Sequence, residues 1–363
     1  MLRKLTLFCL AVALMQSTAA MAFDLDPSIF SFNGFGSVSE VHTNLHKADY
    51  TAGLLQPNGA GYSRRWSNDV DAILGLQMTA KPTEQLTAVV QLVSQQRYDN
   101  KYGPGFEWAN LQYAFTPDVK VRVGRFAMPT FLFSDTRLVH YAMMAVRPSV
   151  EVYRVLPVTN ADGVDASYHF KIGDVSNTVE AIYAQNFTQF ATSLLKNRGV
   201  TGIFDNLEWK NLLVHTAYQI RQIHSGPTTS VSYKLADIGI NYDNGKWFLM
   251  TEGARTWARP VFSAPSRTYV ANTGYRIGPV APYVQFSKLE PVTKFSVAGT
   301  RTVAQHAGSL GVRWDFMSNF ALKAQWDHLK TDNSSTGTLV NVQPGFIRNR
   351  TAEVVSFALD CVF

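Results

Sequence analysis

The 363-residue chain has two cysteines, Cys9 and Cys361, too few for a disulfide-built scaffold. No apolar run reaches the roughly 18 residues that a membrane-crossing helix needs. A bundle of membrane helices is therefore excluded. Charge is sparse: 33 Lys and Arg stand against 27 Asp and Glu, and the formal +6 is scattered rather than gathered into a run. That excludes a nucleic-acid surface of clustered bases. The eight histidines are scattered at spacings that imply no metal site. A glycine-rich phosphate loop is also missing. Phe32-Asn33-Gly34-Phe35-Gly36 opens a strand, not a helix, so its glycines serve curvature rather than phosphate. No catalytic set of Ser/His or Asp/His emerges, and the reading is a protein that is not an enzyme and carries no cofactor. Disorder fails too, because aromatics make up 12% of the chain.

What is present begins with an address. Arg3 and Lys4 precede an apolar core, Leu5 to Met15, and Ala20-Met21-Ala22 places small residues where a signal peptidase reads them. Residues 1–22 are expected to be a signal peptide cleaved before Phe23. Cleavage removes two bases, so the formal charge falls from +6 to +4.

Beyond it, the hydrophobic period is two, the mark of strands with one apolar face. Leu86, Ala88, Val90 and Leu92 oppose Thr87, Gln91, Gln95 and Arg97. Leu212, Val214, Thr216, Tyr218 and Ile220 oppose His215, Gln219 and Arg221. The same holds for Leu310, Val312, Trp314 and Phe316 against Arg313 and Asp315, and for Leu322, Ala324 and Trp326 against Lys323, Gln325 and Asp327. Val119, Val121 and Val123 oppose Lys120 and Arg122. Tight turns are expected at 81–83, 116–118, 173–174, 210–211, 243–245, 278–279 and 318–319, from Gly, Asn and Pro. Longer polar stretches alternate with them near 46–67, 98–105, 126–160, 188–200, 223–231, 259–266, 291–302 and 331–350. Short turn and long loop in alternation predict an all-β, antiparallel up-and-down transmembrane barrel of about sixteen strands. A soluble β-sandwich would need a second apolar layer to cover those faces, and none is available. Aromatics at Phe115, Trp209, Trp247 and Phe320 beside tight turns, and Trp257 and Tyr269 near long loops, mark two interfacial girdles.

The last strand, TAEVVSFALDCVF (351–363), alternates and ends on Phe363. With the leader, it resembles the closing strand of the Gram-negative outer-membrane porins, the proteobacterial trimeric sixteen-stranded family. The segment VRVGRFAMPTFLFSDTRLVHYAMMAVRPSVEVY (121–153) resembles that family's fifth strand and long third loop. The resemblance implies that residues 127–160 fold into the lumen and narrow it. It also implies a homotrimer in outer-membrane lipid, and Phe363 as part of the signal read by the barrel-insertion machinery. The barrel domain is then 23–363.

A barrel of this size leaves a water-filled lumen, so the expected function is passive diffusion of small hydrophilic solutes and ions. The inward bases expected are Arg97, Lys120, Arg122, Lys171, Arg221, Arg276, Arg313 and Lys323. The inward acids are Asp69, Asp71, Asp165, Glu180, Asp237, Asp315 and Asp327. At the narrowing, Arg137, Arg147 and Arg154 oppose Asp135 and Glu151, three bases less two acids, with His140 able to add one more. Field strength is greatest in such a restricted place, which gives an expectation of mild anion preference. Each loop arginine could instead be a buried partner that pins the loop to the wall, Arg147 beside Pro148 foremost. Two other functions stay open: a specific porin for a small anionic solute, bound at the narrowing, and a barrel serving as adhesin or receptor.

Overall fold

Period-two alternation lets the chain pair with itself over long distances. In a computed structural model it does so around a complete circle. The structure describes residues 26–190, 194–225, 229–258, 265–292, 303–332 and 335–363; the expected leader and its cleavage point lie outside them. Sixteen strands run in chain order: β1 Phe30–Thr43, β2 Ile73–Ala80, β3 Leu86–Gln95, β4 Gly105–Ala114, β5 Val119–Ala127, β6 Asn160–Ile172, β7 Val175–Gln189, β8 Leu194–Trp209, β9 Leu212–Ser225, β10 Thr229–Asp243, β11 Trp247–Ala258, β12 Ser266–Tyr275, β13 Val280–Pro291, β14 Gln305–Met317, β15 Phe320–Thr331 and β16 Thr351–Val362. Each is antiparallel to the next, and β1 pairs with both β2 and β16, which closes the barrel. A two-residue strand, Trp66–Ser67, extends the pairing at the end of β1. Closure leaves no sheet edge unpaired, the condition for strands to cross a bilayer.

The faces are inverted relative to a soluble barrel. Phe32, Tyr183, Ile203, Phe286, Leu310 and Phe357 point outward and are exposed, whereas Gln219, Arg221, Gln285, Ser309, Gln325 and Ser356 point inward and are buried. An apolar outside and a polar inside is stable only where lipid surrounds the barrel and water fills it. The chain therefore has the fold of an outer-membrane barrel, with sixteen strands as the punctuation predicted.

All seven tight turns fall between strands. Gly173, Gly245 and Gly278 adopt positive φ in three of them, and Asn319 does so in a fourth. In the turn at 210–211 Lys210 takes the positive φ, 52°, although Asn211 is the residue chemistry favours there. Two expected long stretches are corrected. At 188–200 and 223–231 the chain is mostly strand, because β7 runs to Gln189, β8 starts at Leu194, and β9 and β10 reach Ser225 and Thr229. Polar composition marked those residues as loop, yet strands projecting past the bilayer can be polar on both faces.

Gly34 lies at the seam. Its backbone N–H donates to the Phe363 carbonyl at 2.7 Å, and Phe363 N–H donates back at 2.9 Å. A Cβ at Gly34 would fall on the Phe363 ring. Glycine here gives the terminal ring a seat on the outer face, rather than only easing curvature.

Candidate functional site

The connection from β5 to β6, residues 128–159, is the longest of the barrel and runs inward rather than over the rim. It contains a 3-10 turn, His140–Ala142, and a single helical turn, α1, Val150–Tyr153. Both of its ends are apolar. Phe126, Met128, Phe131, Tyr153 and Leu156 pack with Phe204, Tyr233 and Leu235 of the wall into one buried cluster. This gives the loop a hydrophobic footing on β8–β10 inside an otherwise polar lumen.

Wall residues hold the loop's backbone from beside that footing round to β14 and β15. Leu132 N–H donates to Glu252 of β11 at 2.6 Å. The Arg313 guanidinium donates to the carbonyls of Tyr141 and Met143 at 2.6 and 3.0 Å. Lys323 donates to three carbonyls, His140 at 2.7 Å, Met143 at 2.7 Å and Ala145 at 3.0 Å, and pairs with Asp360 at 2.8 Å. Gln325 accepts from Val146 N–H at 3.1 Å. A loop in the middle of a barrel has carbonyls that no strand satisfies. The wall bases supply the missing donors.

The loop's own charges divide. Arg147 forms a two-pronged ion pair with Asp71, 2.6 Å on each prong, donates to Ser356 Oγ at 2.7 Å and lies 3.7 Å from Asp327. Only 2% of its side chain is exposed and none of Asp71's. Burial alone would lower its pKa, but Asp71 together with Tyr50 and Asp327 outweighs it and raises the guanidinium further. On Asp71 burial pulls upward, and Arg147 holds the carboxyl below its ordinary value. Glu151 accepts from Gln305 at 2.5 Å and from Ser287 at 2.8 Å. Arg154 donates to Thr51 at 3.2 Å. Arg137 donates to the carbonyls of Tyr153 and Leu156 at 2.8 and 3.1 Å, with burial lowering its pKa to about 10. The His140 ring is buried, its Nδ1 has no hydrogen bond, and burial lowers its pKa. Asp135 alone of the six is exposed, within the influence of Arg122.

The wall residues divide as well. Arg122 bonds Asp165 and reaches Glu180 at 3.4 Å, leaving this part of the lumen with two acids to one base. Arg221 is fully buried against the Tyr233 ring, bonds Gln219, and has no acid partner among the described residues. Lys120 is exposed on the inward face, and Arg97 lies past the end of β3 with its guanidinium over Gly105. Arg276 belongs to a turn and pairs with Asp243 at 2.6 Å. A cavity of about 380 Å³ opens on the long-loop side, lined among others by Gln95, Gln96, Glu107, Arg137 and His140. Among the described residues no group of His, Cys, Asp and Glu is arranged to hold a metal.

The barrel with its inward loop has counterparts among solved structures. The fold is that of the outer-membrane porins. An anion-selective porin from Comamonas acidovorans superposes with a TM-score of 0.61 at 14% identity, over 92% of this chain and 99% of that one. OmpF of Salmonella typhi, solved with daunomycin, gives 0.60 at 12% identity, over 92% and 97%. The outer-membrane channel DcaP of Acinetobacter baumannii gives 0.58 at 10% identity, over 94% and 100%. No protein-family model and no curated protein matches the sequence. What this porin-like barrel shares with them is architecture, with few residues in common.

Sequence reasoning missed Glu252 and Glu107. Both lie on inward faces, and β11 reads ambiguously because Phe248, Met250 and Ala254 share the inward face with Glu252. An acid among inward apolar residues was the available signal.

Proposed function

We propose that the chain is a diffusion porin, a water-filled channel for small hydrophilic solutes and ions with mild anion preference. The observation that carries it is the inverted barrel, polar within and apolar without, crossed by a loop whose hydrogen bonds fix it at one height. Sixteen strands enclose more volume than their inward side chains fill. In this reading residues 127–160 form the narrowing, and 1–22 direct export and are removed. Phe363, seated on Gly34, is the mark read during insertion, and the working unit is a trimer in outer-membrane lipid.

The sign of the preference follows from which charges are left over. Arg147, Arg313 and Lys323 are engaged by acids and loop carbonyls. Lys120 and Lys171 are exposed on the inward face and without an ion pair among the described residues. Asp135 opposes them. The excess of bases over acids and the anion selectivity named for the Comamonas porin support the same sign. Reversal potentials across a salt gradient test it: a modest shift toward the anion potential is expected, and clear cation selectivity would overturn it. The cavity beside the loop favours a second reading, a specific porin that binds one small anion. Saturable block of current by a single solute would select that reading.

A further inference from the structure

At the end of β3 the chain reads Gln95-Gln96-Arg97, and β4 opens on Gly105-Phe106-Glu107. Gln96, Arg97 and Glu107 all line the cavity of about 380 Å³ on the long-loop side. That volume lies at the low end of the roughly 300–1,000 Å³ of small-molecule sites. Most of the charge around the cavity is answered within the protein. Arg147 is paired with Asp71, Arg125 with Asp162 at 2.7 Å, and Arg137 with loop carbonyls. One acid and one base are left over.

The acid is Glu107, 8% exposed, whose Oε1 is buried and has no hydrogen bond. Gln96, 3% exposed, adds a second lone acceptor. Its Nε2 donates to Asn58 at 2.7 Å and to Asn100 at 2.8 Å, and this leaves Oε1 buried with no donor. Buried acceptors of this kind cost free energy until a donor reaches them. The base is Arg97, whose guanidinium lies over Gly105 and has no acid partner among the described residues. Gly105 is the cross-strand partner of the buried Val93, so this is the inward side. Gly105 and Glu107 are two residues apart on one strand, which sets the seats of the opposite charges about 7 Å apart. That gap is too long for a direct ion pair. It suits two charge-assisted hydrogen bonds of ~2.8 Å with a small molecule between them.

We propose that the cavity binds a small zwitterion, a molecule whose carboxylate and ammonium are joined through one carbon, as in an α-amino acid. Arg97 takes the carboxylate in its guanidinium fork. Glu107 Oε1 and Gln96 Oε1 accept from the ammonium. A plain anion would leave both acceptors unanswered, and a plain cation would leave Arg97 unpaired. The proposal rests on the channel reading and names the solute class of its site.

Calorimetric titration of the full barrel in detergent tests it, with L-alanine as probe beside its two half-molecules, propionate and ethylamine. Saturable binding of L-alanine is expected, at least about tenfold tighter than that of either half, as loss of a charge-assisted hydrogen bond requires. E107Q and R97Q should each weaken it by a similar factor while keeping the wild-type heat-modifiable band. K101Q, which removes a base outside the cavity, should bind as wild type does. Equal binding by E107Q or R97Q would overturn the site. Propionate binding as tightly as L-alanine would overturn the zwitterion, and this comparison needs no variant. A barrel that conducts yet shows no saturable L-alanine binding would overturn the site and leave the channel reading standing.

Discussion

At the scale of single residues, the loop is held by charge buried against charge. Removing Arg147 leaves Asp71 and Asp327 buried without their cation. Such losses cost about 3–5 kcal/mol. R147A is expected to release the loop from the β15–β16 side, giving larger and noisier single-channel steps. Unchanged steps in a folded R147A barrel would show that the pair does not seat the loop. K323M, which strips donors from three loop carbonyls, should act in the same direction. The anchor resists acid. Asp71 is held below its ordinary value, so its contribution is present above the ~3.9 of an unfolded carboxyl and is lost only as pH falls through the lower folded value. His140 is the opposite kind of group: burial depresses its pKa, so it stays neutral as pH falls past the ~6.5 of an ordinary imidazole. The anion-to-cation permeability ratio of wild type and H140Q should therefore coincide between about pH 7.5 and pH 6. A step near the ordinary imidazole value, present in wild type and absent from H140Q, would place His140 on the ion path.

At the scale of elements, strands and tight turns were readable because period two and turn chemistry are local. Gly173-Asp174 and Asp243-Asn244-Gly245 announce their turns within a few residues. Loop position was less legible. Arg147, Glu151 and Arg154 resemble three pore-facing charges in the sequence. Their engagement depends on Asp71, Ser287, Gln305 and Thr51, residues 76, 136, 154 and 103 positions away. No local pattern encodes such pairs. Arg313 and Lys323 lie on the inward face, and the loop atoms they hold are backbone carbonyls, which leave no trace in a sequence. The seam lies between these cases: Gly34 and Phe363 are each visible, and only closure brings them together. G34V would drive a side chain into the Phe363 ring, with overpacking of about 1–3 kcal/mol. The variant's heat-modifiable band should melt at a lower temperature. An unshifted band would mean that the ring has another seat.

At the scale of the whole molecule, a mean hydropathy of -0.06 reflects cancellation between two faces, one turned to lipid and one to water. The net charge acts by the same division. Arg313 and Lys323 on the inward face hold the loop, while Lys120 and Lys171 stay exposed in the lumen. The central claim is that the lumen is open and filled with water. Single-channel recording in planar bilayers over a range of salt concentrations tests it most directly. Steps whose conductance rises in proportion to the salt, without saturating, are the predicted result. Protein that inserts and stays electrically silent would contradict it.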